Sequence, residues 1–287
     1  MKLLNVYTVE ETRKKIDTYF CKEYNLYDEI HVTDAFNRIV FEDINSPIEL
    51  PEFSKSVVDG YAVKSKDTIG ASESMPVFLD VLGYVEMGKG ADAMVQNDAT
   101  VYVPTGAIIP KGADSVVMIE YIEKLDENTI AVYSSVAPGQ GIIQKGEDVG
   151  KGELIISKGK KIQAQNIALM CAVGIEKIKV YKKLRISIIS TGDEIVDSFG
   201  KVEIGQVRDI NTHLLSAMAL DSGAEVGLEI LVKDSFDEIK VATEKALQVS
   251  DIVLLSGGSS VGAKDMTINV IEALDNGEIF IHGVAVK

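Results

Sequence analysis

From residue 184 onward the chain alternates apolar β-type runs with amphipathic helical runs, and this alternation constrains the fold more than any other feature. Strands that alternate with helices favour right-handed crossovers and a mainly parallel sheet. Asn211 is the expected cap of the first helix of this region, and Gly223 its expected end. The predicted strands lie at 185–189, 225–232, 251–255 and 278–281, and the predicted helices at 212–221, 236–249 and 266–274. We therefore predict an α/β domain here.

The preceding residues predict a different organisation. Thr8 with Glu11 three residues later forms a capping-box pattern at the start of a helix over 8–21. A second short helix is expected at 32–40. Between residues 53 and 146, short β-type runs separated by Gly, Pro and Asn are typical of a small β-rich domain. A helix over 163–173, ended by Gly174, and a strand over 176–180 follow.

Polar residues follow the first three strands of the predicted parallel sheet. Ligands of such sheets bind outside the carboxyl ends of the strands. We therefore expect these strand ends to face one crevice that holds an anionic small molecule. The sequences at the three ends are Ser190-Thr191-Gly192-Asp193-Glu194, Lys233-Asp234 and Ser256-Gly257-Gly258.

The third strand end continues into a glycine-serine turn and then a helix that opens after Asp265. Backbone N–H groups at such a turn attract anions, and the Ser259 and Ser260 hydroxyls add donors. The turn is not a P-loop, because Gly262 is followed by Ala rather than Lys, nor a dinucleotide fingerprint, because Gly257 and Gly258 are adjacent. A plain strand-to-helix turn is the alternative.

Charge and hydropathy narrow the possible partners. The formal net charge of −15 argues against nucleic acid and anionic membranes as main partners. No apolar run approaches the roughly 20 residues of a membrane span, and no long apolar core of a secretory signal follows Met1, so we expect a cytoplasmic protein. The two cysteines, Cys21 and Cys171, are expected to be reduced thiols.

Five motifs occur in an order that resembles the molybdopterin molybdenumtransferases, the MoeA and gephyrin E-domain family. The resemblance covers nearly the whole chain, from about residue 8 to the end. Lys55 stands where the family usually has Asn, and Ser259 where an apolar residue is usual. The motifs are Ser56-Val57-Val58-Asp59-Gly60-Tyr61-Ala62-Val63, Thr105-Gly106-Ala107, Gly146-Glu147-Asp148, Ser190-Thr191-Gly192-Asp193-Glu194 and Ser256-Gly257-Gly258-x-Ser260-Val261-Gly262-x-x-Asp265.

The resemblance implies a multidomain α/β protein: a discontinuous helical linker domain (1–45 and 147–178), an inserted β-rich lobe (46–146) and an α/β molybdopterin-binding domain (179–287). It also implies a homodimer with the site between the lobe of one subunit and the α/β domain of the other. The implied reaction is Mg²⁺-assisted insertion of molybdate into adenylylated molybdopterin, with release of AMP. Family members continue past the position of Lys287 and add a small β-barrel domain, so we expect a C-terminally truncated member.

The same resemblance implies the site residues. It makes Asp59, Asp148, Asp234 and Asp265 catalytic, with Asp59, Asp234 and Asp265 around the Mg²⁺, which prefers oxygen ligands. The structural alternatives are a turn for Asp59, a solvated loop for Asp148, caps of the following segment for Asp193 and Glu194, and helix caps for Asp234 and Asp265. A β-turn is the alternative for Thr105. The residues implied to bind the pterin substrate are Thr105, Thr191, Gly192, Asp193, Glu194, Ser256, Gly257, Gly258, Ser259, Ser260, Gly262 and Lys287.

Two other functions remain open at this point. The chain could bind molybdopterin or its adenylate without turning it over, as a binding or scaffold module. It could also insert tungstate, because the two oxyanions have nearly the same size and charge. Binding without AMP release would favour the module.

Overall fold

The computed structural model describes residues 6–20, 24–257, 266–275, 277–281 and 283–285. The strands are β1 (Val6–Thr8), β2 (Tyr27–His31), β3 (Ile44–Asn45), β4 (Lys55–Ser56), β5 (Gly60–Val63), β6 (Val77–Tyr84), β7 (Ala99–Val103), β8 (Ser115–Met118), β9 (Ile122–Lys124), β10 (Thr129–Val132), β11 (Ile142–Ile143), β12 (Leu154–Ile156), β13 (Lys177–Tyr181), β14 (Arg185–Thr191), β15 (Ile195–Val196), β16 (Val207–Arg208), β17 (Glu225–Val232), β18 (Ile252–Ser256) and β19 (Gly283–Ala285). The α-helices are α1 (Val9–Phe20), α2 (Ala164–Ala172), α3 (Asn211–Asp221), α4 (Phe236–Leu247) and α5 (Met266–Glu272).

The chain divides into two compact units. The first combines described residues of 1–29 with those of 179–287, and the second contains 30–178. Both boundaries fall inside strands, β2 and β13, which pair as a two-stranded sheet. The division into linker domain, lobe and α/β domain is finer than these two units and stays a prediction.

The first unit is built on a three-stranded parallel sheet. Its order is β17-β14-β18, with β14 in the centre and both neighbours parallel to it. Residues 187–191 of β14 are all buried, because the strand has a neighbour on each side and helices pack against the sheet. Ile189 packs with Ala242 and Ala246 of α4. The parallel sheet predicted from the alternation is confirmed.

Helix α1 opens with the predicted capping box. The Thr8 amide donates to Glu11 Oε2 over 2.8 Å, and the Glu11 amide donates to Thr8 Oγ1 over 3.2 Å. The Thr8 backbone and hydroxyl donors hold the pKa of the Glu11 carboxyl below its usual value. No helix in the described ranges combines the length and the apolarity that a bilayer crossing requires.

The second unit contains a six-stranded sheet of order β8-β5-β7-β6-β10-β9. Its edge strands β8 and β9 are consecutive in the chain and are joined by the 3₁₀ turn Ile119–Tyr121. Because three residues connect opposite edges, the sheet curls so that these edges approach each other. Two apolar clusters pack against its two faces, one around Leu79 and Ile130 and the other around Val95 and Val101. The predicted β-rich character is confirmed.

Two predicted elements are wrong. A helix was expected at 32–40, but only the 3₁₀ turn Val32–Asp34 forms there. Asn37 has a φ of 64°, and the Val40 amide donates to the Lys160 carbonyl, so neither residue is in a helix. The strand expected at 278–281 is also absent from these described residues. Phe280 stacks on Tyr19 of α1 instead, with ring centroids 4.8 Å apart.

The strand that does form near the end of the described chain lies further on. It is β19, which pairs in parallel with the N-terminal strand β1.

Candidate functional site

The carboxyl ends of the three parallel strands meet at one edge of the sheet. Thr191 lies opposite Val232, the last residue of β17. Ser190 lies opposite Ser256, the last residue of β18. The convergence predicted from the sequence is therefore confirmed, and the polar residues that follow each strand start from neighbouring positions.

Thr191 and Asp234 are joined directly across two of these strand ends. The buried Thr191 hydroxyl donates to Asp234 Oδ1 over 2.5 Å. Asp234 is not the cap of α4, which is Ser235, so the alternative of a helix-capping Asp234 is wrong. A buried hydroxyl of the neighbouring strand end orients this carboxylate.

Asp193 adds a second carboxylate to the same network and links it to the Lys233 ammonium. Its Oδ1 accepts from the Asp234 amide over 3.3 Å, and its carbonyl accepts from Lys233 Nζ over 2.9 Å. Asp193 and Glu194 are exposed, and strand β15 rather than a helix follows them, so neither caps a helix. The strand ends thus present carboxylates, an ammonium and a hydroxyl.

Gly192 leaves room for a neighbouring side chain at this edge, and Gly257 allows close approach of the backbone. A Cβ on Gly192 would lie 2.7 Å from the Ile195 side chain. Gly257 has a φ of +110°, and a Cβ there would lie 2.2 Å from the Thr191 carbonyl oxygen. The turn after β18 therefore packs directly on the end of β14.

Other predicted site residues of this turn and of the terminus lie outside the described residues. They are Gly258, Ser259, Ser260, Gly262, Asp265 and Lys287. Their roles stay predictions.

Asp209 is a buried residue of this edge that the sequence analysis did not single out. Its carboxylate accepts from the Ser190 hydroxyl over 3.0 Å and from the Thr212 hydroxyl over 2.5 Å. It also accepts from the Thr212 amide over 3.1 Å, so it satisfies donors at the start of α3. Burial alone would raise the pKa of Asp209, but the donors of Thr212 and Ser190 outweigh it and lower the pKa below its usual value.

Asn211 also differs from its predicted role. The N-cap position of α3 is Ile210, and the Asn211 amide nitrogen donates to Ser256 Oγ over 2.7 Å. The start of α3 is therefore linked to β14 through Asp209 and to β18 through Asn211. The signal in the sequence was an Asp three residues before a Thr, a spacing typical of a helix start.

Asp209 gives a prediction for the pH dependence of stability. Because its folded pKa lies below its unfolded value of about 3.9, it stabilises the fold above that pH and loses this contribution as the pH falls through the folded pKa. We expect Asp209→Asn to lower the free energy of unfolding at pH 7 by about 1–2 kcal/mol. The difference from wild type should shrink below about pH 4. Urea unfolding at both pH values measures it, with the exposed Asp92→Asn as a control expected to show no such difference.

In the second unit, Asp59 and Thr105 lie together. The Thr105 amide donates to Asp59 Oδ1 over 2.8 Å, and the Asp59 carbonyl accepts from the Ile119 amide over 3.0 Å. Thr105 and Gly106 occupy a β-turn, since the Ala107 amide donates to the Pro104 carbonyl and Gly106 has a φ of +84°. The Asp59 and Thr105 side chains are both exposed and accessible to a ligand.

Asp148 lies in a loop of the second unit. Its amide donates to the Leu50 carbonyl over 2.9 Å, and its side chain is exposed. The loop predicted as its structural alternative is therefore present, and its catalytic role stays a prediction.

Oxygen donors at the strand ends are the candidate ligands of a metal ion. Across the described ranges, no three His, Cys, Asp or Glu side chains converge on one point. The Asp234 carboxylate nevertheless accepts from the Thr191 hydroxyl, and the Asp193 carboxylate accepts from the Asp234 amide. Such a set fits Mg²⁺, which takes oxygen ligands, one or two of them carboxylates, and keeps several waters.

Comparisons with known families divide the chain in two. Residues 7–174 match the model described as MoeA N-terminal region (domain I and II). Residues 187–287 match the model described as probable molybdopterin binding domain. The strand-end network lies in the second match, and the Asp59 and Thr105 pair in the first.

Individual proteins are similar over most of this chain. A molybdopterin biosynthesis protein of Methanocaldococcus jannaschii is 34% identical over 268 residues, which are 90% of this chain and 64% of that protein. A molybdopterin molybdenumtransferase of Staphylococcus aureus is 33% identical over 253 residues, 88% of this chain and 60% of the enzyme. The chain thus spans less than two thirds of the length of these relatives.

Solved structures of MoeA proteins share the fold of this chain. A molybdopterin biosynthesis MoeA protein of Pyrococcus horikoshii superimposes with a TM-score of 0.84 at 35% identity. The superposition covers 98% of this chain and 69% of that structure. The predicted multidomain α/β fold is confirmed.

Proposed function

Because the chain belongs to the MoeA family, we propose that it takes part in molybdenum cofactor biosynthesis as a molybdopterin molybdenumtransferase. The proposed reaction inserts molybdate into adenylylated molybdopterin. The two dithiolene thiols of the pterin replace one oxygen of molybdate, which leaves as water. A water molecule cleaves the phosphoanhydride that joins the pterin phosphate to AMP, so the pterin keeps its phosphate and AMP leaves. Both substrates are anionic, so the site must offset their mutual repulsion.

The observation that carries this proposal is the network at the strand ends. Thr191, Asp234, Asp193 and Lys233 are joined by hydrogen bonds at the carboxyl edge of a parallel sheet. Ligands of such sheets bind at this edge. The Lys233 ammonium and the Ser256 hydroxyl are donors suited to phosphate oxygens, whereas the carboxylates require a cation between them and an anionic substrate.

We assign this cation as Mg²⁺, with Asp59, Asp234 and Asp265 as its proposed ligands and Asp148 as a further catalytic carboxylate. When bound, the ion would screen the phosphates and polarise the phosphoanhydride. The residues of the chain do the positioning. Thr191 orients the Asp234 carboxylate, and Lys233 holds the Asp193 carbonyl. In the second unit, the Thr105 amide orients Asp59.

We also propose a homodimer in which the partner subunit completes the site. The pattern of α3 supports it, because small or polar residues face inward and large apolar residues face outward. Thr212, Ser216 and Ala219 are buried, whereas Leu214 and Met218 are 57% and 56% exposed. Exposed apolar patches mark interaction surfaces. Light scattering should give twice the mass of one chain, and the mass of a single chain would contradict the dimer.

The function is tested by incubating the chain with adenylylated molybdopterin, Mg²⁺ and molybdate and measuring AMP. We expect molybdate-dependent release. Binding of the adenylate without release would favour the alternative of a binding or scaffold module, and a preference for tungstate would identify a tungstate-inserting member. The cytoplasmic location stays a prediction from the sequence.

A further inference from the structure

The curled sheet of the second unit has an open mouth. A cavity of about 890 Å³ lies there, a size typical of small-molecule sites. We call it the tyrosine mouth, because three of the ten tyrosines of the chain line it together with apolar side chains and a polar rim. Its defining residues are Tyr61, Tyr84, Tyr102, Ile119, Lys124 and Glu127.

The tyrosine mouth adjoins the proposed lobe site. Tyr61 is two residues after Asp59 and pairs across the sheet with Tyr102, which is three residues before Thr105. The Ile119 amide donates to the Asp59 carbonyl over 3.0 Å. One wall residue of the cavity, Ile119, therefore bonds to Asp59, and two others, Tyr61 and Tyr102, lie two and three residues along the chain from Asp59 and Thr105.

The geometry of the walls suits a flat ring. Tyr61 and Tyr102 meet edge to face, with centroids 5.4 Å apart and planes at 71°. At the rim, Tyr84 is 68% exposed and Leu82 is 47% exposed. Large apolar side chains gathered around an open cavity are unfavourable in water and mark a ligand-binding or interaction site.

A local irregularity shapes the rim. The pairing of β6 with β7 shifts register between Val81 and Tyr84. Gly83, with a φ of +147°, occupies this shift, and a Cβ there would meet no atom within 4 Å. Bulges of this kind bend a strand and re-aim side chains at barrel rims. The strand therefore presents Tyr84 at the mouth.

The polar rim adds hydrogen-bonding groups of both kinds. Lys124 donates, whereas the carboxylates of Asp126 and Glu127 accept, and the Asn128 side chain can do both. Nitrogen heteroaromatic rings carry N–H donors and N or O acceptors on their edges and a π-face above and below. Stacking faces surrounded by such groups are the recognition elements for these rings.

We propose that the tyrosine mouth binds a planar nitrogen heteroaromatic ring. Given the proposed function, on which this step rests, the ring is one of the two in adenylylated molybdopterin, either the adenine or the pterin. The ring would lie against Tyr84 and Tyr102, and the rest of the substrate would pass Asp59 and Thr105. The two sources share the stacking chemistry and are separated by experiment.

The test titrates the chain calorimetrically with AMP and, separately, with the free pterin neopterin. Tyr84→Ala should weaken binding of the ring that occupies the mouth by about tenfold, since stacking on an aromatic side chain contributes roughly that much. Tyr84→Phe should retain the affinity. Tyr121→Ala is the matched control, because Tyr121 is 49% exposed and lies outside the cavity lining. The ligand whose binding is weakened by Tyr84→Ala but not by Tyr121→Ala identifies which ring, adenine or pterin, occupies the tyrosine mouth.

The outcomes separate this inference from the proposed function. If Tyr84→Ala binds both ligands as wild type does, or if wild type binds neither, the proposal that the tyrosine mouth binds a ring is wrong. The AMP-release assay still tests the proposed reaction independently. If Tyr84→Ala binds one ligand more weakly while the wild-type chain releases no AMP in the presence of molybdate, ring binding in the tyrosine mouth is supported and the proposed insertion activity is wrong. Equal losses in Tyr84→Ala and Tyr121→Ala would also overturn the mouth.

Discussion

Asp234→Asn should lower molybdate-dependent AMP release by about 100-fold, the scale of losing one charge-stabilising group in an active site. The amide oxygen of Asn can still accept the hydrogen bond from the Thr191 hydroxyl, so the local geometry should survive. The negative charge, which would hold the cation against the substrate phosphates, is lost. The measurement is the initial rate of AMP formation with saturating Mg²⁺.

Asp237→Asn is the matched control for this prediction. Asp237 is exposed in the first turn of α4, three residues further along the chain. Its replacement removes the same charge and should change the unfolding free energy by only a few tenths of a kcal/mol, through the helix dipole. Unchanged release in Asp234→Asn, or an equal loss in Asp237→Asn, would remove Asp234 from the proposed site.

Gly257→Ala should lower the free energy of unfolding by about 3 kcal/mol or more. Two costs combine: the left-handed backbone conformation is unfavourable for Ala by roughly 1–2 kcal/mol, and the added Cβ would lie 2.2 Å from the Thr191 carbonyl oxygen. Backbone atoms rather than a flexible side-chain end receive the clash, so the strand end itself must move. Urea unfolding measures the loss.

Gly223→Ala separates the two costs. Gly223 also has a left-handed backbone, with a φ of +87°, but a Cβ there would meet no atom within 4 Å. We expect it to lose only the conformational part, roughly 1–2 kcal/mol. If both variants lose the same free energy, the close packing of the turn on β14 is not what requires glycine at 257.

Local patterns were sufficient where the cause of the structure is local. The Thr8 and Glu11 side chains form the predicted capping box, because their three-residue spacing is enough for both hydrogen bonds. Strand β17 has the predicted bounds, 225–232. The failures lie where distant segments compete for the same backbone. Val40 pairs with Lys160, and Phe280 stacks on Tyr19.

The same contrast holds at the candidate site. The alternation of strands and helices implied that the ends at Thr191, Asp234 and Ser256 meet, since parallel strands share one carboxyl edge. It could not assign their partners. Asp209 was missed because its acceptor role depends on Ser190, nineteen residues away in the chain. Asn211 was wrongly predicted to cap α3. Its hydrogen bond to Ser256 joins residues far apart in the chain, so the local pattern does not reveal it.

Taken alone, the sequence determined the alternation of strands and helices over residues 185–274, the parallel sheet and the family to which the chain belongs, because periodicity and motif spacing are properties of the chain itself. Tertiary structure decided which hydroxyl orients Asp234, which carboxylate anchors α3 and that three tyrosines line one cavity. Hydrogen bonds and cavities of this kind depend on distances between segments far apart in the chain, and those distances exist only after folding.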